Sequence, residues 1–153
     1  MRIRVSLLAV ALCFVATLSF AADPHMGTWK LNETKSKFAP DSPKNNTVVY
    51  EASGDNTKVT VDGTNANGSP LHNEWTGKFD GKDYPVTGDS SQDSRSYKKV
   101  NARTLAMTIK KDGKVAQTGR IVVSPDGKSR TVTTTRTDAK GKKSASTAVY
   151  DKQ

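Results

Sequence analysis

The chain predicts an all-β fold, an antiparallel up-and-down meander of about eight to ten strands closed into a barrel. Three observations carry this. Short runs rich in Val, Thr, Tyr and Ile alternate with turn signals from residue 44 onward. Three of the four Asp-Gly pairs and the one Asn-Gly pair fall between those runs, and such pairs supply the positive φ angles of tight hairpins. No long stretch has the apolar period of a helix. A β-sandwich would show the same alternation and is the structural alternative.

The elements follow in order. "GTWKLN" (27–32) is the first strand. "NETKSKFAPDSPK" could hold a helical turn at most, since Pro40 and Pro43 limit it. "NNTVVYEAS" ends at Gly54-Asp55 and "TKVTVDGT" at Asn65–Gly68. "PLHNEWTGKF" ends at Asp80-Gly81. "KDYPVTG" is short and carries Pro85, as an edge or bent strand does. "DSRSYKKV", "RTLAMTIKK", "KVAQTGRIVVS", "KSRTVTTTRT" and "SASTAVYDK" complete the meander. Consecutive hairpins leave two free edges, and closure removes both.

Alternation assigns faces. Val59 and Val61 share a side, as do Leu71, Trp75 and Phe79 with Asn73 and Gly77 between them. Leu105, Met107 and Ile109 form one set, and Val115, Gln117, Gly119, Ile121 and Val123 another. An inner face that mixes apolar residues with Asn, Gln and Gly suits an interior not wholly filled by large side chains.

The first 21 residues read as a secretory signal peptide. Arg2 and Arg4 form a basic start, Val5 to Leu18 is apolar but short for a membrane span, and Ser19-Phe20-Ala21 fits a cleavage site. The domain then spans residues 22–153, with a secreted or periplasmic destination and no transmembrane segment in the mature chain. Cys13, the only cysteine, lies in the leader, which leaves no disulfide or thiolate site beyond it. The whole chain has 24 Lys and Arg against 15 Asp and Glu, +9; without Arg2 and Arg4 the remainder is +7. The basic residues are scattered, so a solvated surface is expected and no specific nucleic-acid site.

"GTWKLN" resembles the first strand of the calycin barrels, the lipocalins and fatty-acid-binding proteins, in which a Gly-x-Trp segment closes the barrel floor. "TAVYDK" (147–152) resembles the last strand of the fatty-acid-binding branch, which reads Thr-Arg-x-Tyr-Glu/Asp-Lys. The chain also resembles a group of uncharacterised exported bacterial proteins that share "GTWKLN…KSKF" and a terminal "VYDKQ". The resemblance implies that the first and last strands pair, that Gly27 and Trp29 serve barrel closure, and that Tyr150 faces a ligand. In the fatty-acid binders the Arg of the terminal motif helps hold the ligand carboxylate; Ala148 stands there in this chain. Arg95, Arg120 or Arg136 could supply a charge from another strand. The Pro-interrupted segment leaves no room for a helical lid.

The expected function is a binding protein that holds a small hydrophobic or amphipathic ligand in its lumen, with Tyr50, Trp75, Phe79, Tyr97, Met107, Arg120, Arg136 and Tyr150 as candidate lining residues. The alternative is an envelope-associated protein whose basic outer surface binds anionic polymers or lipids. A monomer is expected in either case. His25 and His72 are the only histidines, and His72 alternates with Leu71 and so faces outward. No metal, no other cofactor and no catalytic residue are expected: no acid–base pair, metal set or phosphate loop is visible. Residues 63–74 mimic a calcium loop, but Gly63 stands where Asp is needed and strands flank it.

Overall fold

The structure, a computed structural model, describes residues 22–153; the leader reading for residues 1–21 lies outside them. Ten strands follow one another: β1 Gly27–Lys37, β2 Lys44–Ser53, β3 Asn56–Thr64, β4 Pro70–Gly77, β5 Tyr84–Thr87, β6 Ser94–Asn101, β7 Thr104–Lys111, β8 Lys114–Val123, β9 Ser129–Thr137 and β10 Lys143–Lys152. Each pairs antiparallel with its neighbours in sequence, and β1 pairs with β10, so the sheet is a closed barrel. The closure excludes the β-sandwich alternative. Among the described residues no helix is long and apolar enough to cross a membrane.

The seam joins the two terminal motifs. Trp29 lies opposite Lys152, Leu31 opposite Tyr150 and Asn32 opposite Val149. Asn32 Nδ2 then donates to the Asp151 carboxylate at 2.7 Å, a charge-assisted bond across the seam. Beyond Asn32 the register shifts, and residues 33–36 bulge before Lys37 meets Thr147. The Pro-rich segment after β1 forms no helix; it is the connection to β2.

Turn chemistry and close approach fix local geometry at two places. Asp112 and Gly113 both adopt positive φ, 49° and 73°, between Lys111 and its partner Lys114. That is the two-residue hairpin an Asp-Gly pair favours. Gly77 faces the core where a Cβ would stand 2.5 Å from the Tyr84 ring and 2.7 Å from the Trp75 ring. Only a residue without a side chain lets these rings close there.

One inward assignment needs correction. Val115 is 51% exposed. The β7–β8 register shifts between Ile109 and Lys110, so Gln117 faces Ile109 while Val115 faces Lys110. This one-residue bulge moves Val115 off the inner face, whereas Ile121 and Val123 remain buried.

The interior divides along the barrel axis. The base is solid. Trp29, Val59, Trp75, Leu105 and Val123 are at most 1% exposed. Segment 22–26 crosses beneath them: His25 is fully buried, and its carbonyl accepts from the Trp29 indole N–H at 2.9 Å. Trp75 stacks on Phe79 with centroids 6.4 Å apart and meets Tyr97 and Tyr84 edge-on at 4.8 and 5.7 Å. Each such pair adds about 0.5–1.5 kcal/mol beyond area burial. Above this plug the barrel is hollow.

Candidate ligand site in the barrel lumen

The hollow half is a cavity of about 670 Å³ that opens between the loops joining β1–β2, β3–β4 and β5–β6. It stays open because of what the sequence places on the inner wall. Ala148, Ser144, Ser146 and Thr134 are small residues on β9 and β10, facing Val48, Val61 and Ile109. The alternation that buries aromatics at the base puts short side chains at these heights.

Of the residues singled out in the sequence, Tyr50, Tyr97, Met107 and Tyr150 line the cavity, each at most 8% exposed. Arg136 lines it at the mouth, where it is exposed and its Nε donates to Gln117 Oε1 at 3.4 Å. Three placements differ from expectation. Arg120 sits on the outer surface, because its neighbours Gly119 and Ile121 alternate with it and Ile121 is buried. Trp75 and Phe79 share the inner face but lie below the cavity in the base; the Trp75 indole N–H donates to the Arg95 carbonyl at 2.8 Å. Gly27 and Trp29 stand at the floor, in the seam strand.

Two arginines dominate the site. Arg95, on β6, is 4% exposed. Its Nη2 donates to Asn73 Oδ1 at 3.0 Å and to Gln92 Oε1 at 2.8 Å, its Nη1 to the Tyr97 hydroxyl at 3.3 Å, and its Nε has no partner. Arg130, on β9, is 2% exposed, and Tyr150 lies directly across from it on β10. Its guanidinium carbon is 4.8 Å from the Trp29 ring and 4.9 Å from those of Tyr50 and Tyr150. Its Nε and Nη1 make no hydrogen bond. Three rings supply cation–π attraction of about 0.5–2 kcal/mol each but no counter-charge.

Among the described residues the ion pairs are made by Lys and His, and none involves an arginine. The two phenols that face Arg130, Tyr50 and Tyr150, stay neutral. Burial pushes Tyr150 up to about 12, partly opposed by Arg130. Burial also raises Tyr50, with Tyr97 adding to the rise. Because a guanidinium keeps its charge at any ordinary pH, the inner wall is positive.

Arg130 escaped sequence reasoning although a signal was present. It precedes Val132 by two on a strand whose alternate positions face inward, and the β9–β10 hairpin register sets it against Tyr150. Arg95 and Arg120 could not be told apart until the faces of β6 and β8 were known.

Neither histidine joins the site. His72 is exposed and hydrogen-bonds Asp62 at 2.6 Å on the outer wall. His25 is sealed in the base, where burial lowers its pKa to about 4 against the pull of Asp23.

The fold and site thus define a closed ten-stranded antiparallel barrel with a ligand-sized lumen, which at a coarse level fits the calycin-like architecture. Among solved structures, EF1p2_mFAP2b bound to DFHBI matches with a TM-score of 0.51 at 14% identity, over 87% of this chain and 97% of that one. A redesigned beta barrel, mFAP1, bound to DFHBI, gives 0.45 at 16% identity over 84% and 95%. Likeness at these identities establishes the fold alone. No family model and no curated protein matches the chain.

Proposed function

We propose that the chain is an exported binding protein that takes a small amphipathic ligand into its lumen. The observation that carries this is the cavity itself. Its size falls within the range of about 300–1,000 Å³ common to small-molecule sites, and its wall combines apolar and aromatic side chains with buried polar and charged ones. Support comes from EF1p2_mFAP2b, which is bound to DFHBI and shares the fold: a barrel of this shape can hold a small molecule. Export rests on the composition of residues 1–21. The reading assigns binding rather than catalysis, to a monomeric chain.

Titration with the uncharged probe N-phenyl-1-naphthylamine tests it. Saturable 1:1 fluorescence enhancement is expected, and Ala148→Trp, which fills the lumen from a buried wall position, should abolish it while circular dichroism stays unchanged. No enhancement, or enhancement indifferent to Ala148→Trp, would refute the reading.

A second reading, attachment to an anionic envelope polymer or lipid, is favoured by Lys140, Lys142 and Lys143, which are exposed on or beside the β9–β10 turn. Retention on a polyanion matrix should then fall steeply with salt.

A further inference from the structure

We propose that the lumen selects an amphipathic oxyanion, held head-first by Arg95 with Asn73, Gln92 and Tyr97 as its frame. This rests on the lumen-binding reading above and names the ligand class.

A buried charge is stable only when something answers it. The groups that touch the Arg95 guanidinium are the side-chain oxygens of Asn73 and Gln92 and the Tyr97 hydroxyl, all neutral. They orient the fork without discharging it. The nearest carboxylate in this network, Asp89, accepts from the Gln92 amide nitrogen and from Ser91, so it fixes Gln92 with its carbonyl oxygen toward Arg95 and stands one residue removed from the cation. Arg95 Nε is left without an acceptor, and the residue lines the cavity. Asp89 lines the same cavity and feels the Arg95 charge without touching it, so what the guanidinium lacks is a charged oxygen in direct contact.

Arg130 stands beside Trp29 at the floor, and its faces are taken by three rings. Arg95 is therefore the direct contact. The subsite lies on β4, β6 and the β5–β6 connection, away from the terminal strand where Ala148 stands.

The wall sets the ligand's direction. Phe38, Leu71, Ile109 and Val132 line the cavity and are only half-buried, and Phe38 sits in the connection at the mouth. An apolar tail covers them when the head reaches Arg95. A purely structural role for Arg95, tying the 88–93 connection to β4 through Gln92 and Asn73, would leave binding indifferent to ligand charge.

Two probes that share one aromatic body separate these accounts: 8-anilinonaphthalene-1-sulfonate and the uncharged N-phenyl-1-naphthylamine. The wild-type chain should bind the sulfonate at least about tenfold more tightly, the size expected of one charge-assisted contact. Arg95→Gln should erase that preference and leave N-phenyl-1-naphthylamine affinity within about twofold. Arg95→Lys, which keeps the cation and loses the fork, should retain part of it. Decanoate and decyl phosphate should displace the bound sulfonate and decanol should not; the stronger competitor tells carboxylate from phosphate. Equal affinity for both probes in the wild type, or a preference that survives Arg95→Gln, overturns the proposal while leaving lumen binding intact. Failure of both probes to bind overturns the lumen reading itself. The wild-type comparison decides the matter even if a variant does not fold.

Discussion

The base and the lumen of this barrel are built on the same ten strands and answer opposite demands. At the base, Trp29, Trp75, Leu105, Val59 and Val123 fill the interior and segment 22–26 closes it. At the mouth end, alanine, serine and threonine on β9 and β10 leave a cavity of about 670 Å³, and two buried guanidiniums in its wall make no ion pair among the described residues. Packing supplies stability in the first region. In the second, apolar surface and charge are left unanswered. One half holds the barrel together so that the other half can stay empty.

The largest test of that division is truncation in each half. Trp29→Ala should cost about 3–5 kcal/mol, since it opens a cavity in a close-packed plug and removes a ring that Arg130 faces. Met107→Ala in the lumen wall should cost no more than about 1–2 kcal/mol, because that side chain already borders empty space. Urea denaturation measures both, and equal losses would erase the distinction. Gly77→Ala comes next. Its new methyl would press on Tyr84 and Trp75 and should cost about 1–3 kcal/mol by the same measurement.

The third test is pH. His25 has its folded pKa lowered to about 4, chiefly by burial, against 6.5 for the free side chain. The unfolded chain therefore takes up the proton first. The contribution is fully present above pH 6.5 and is lost as pH falls through 4. Thermal midpoints should decline across that window, and His25→Leu should flatten the decline. The smallest effect belongs to the hairpin rim. Gly113→Ala, at φ 73°, should lower stability by about 1 kcal/mol without touching either half of the interior.

Much of this division was legible in the sequence, and some was not. Asp-Gly pairs and alternation located the hairpins, and "GTWKLN" with "TAVYDK" predicted the seam that Leu31 and Tyr150 form. Alternation gives the face of a residue but not its height, so Trp75 and Phe79 looked like lumen wall although they belong to the plug. A one-residue bulge opposite Ile109 turned Val115 outward. Arg120 and Arg130 differ only in phase relative to their strands, and phase is set by partners across the sheet. The unpaired state of Arg95 has no local signal at all: it depends on Asn73 and Gln92, which reach it from β4 and from the β5–β6 connection.

The chain carries its own reporters for the two halves. Met107 lines the lumen, and Met26 packs against the base. Methyl-labelled methionine NMR during titration with N-phenyl-1-naphthylamine should move the Met107 resonance in a saturable manner and leave Met26 in place. A shift at Met26 alone, or no shift at Met107 when the probe is bound, would contradict the claim that the barrel binds its ligand in the hollow half.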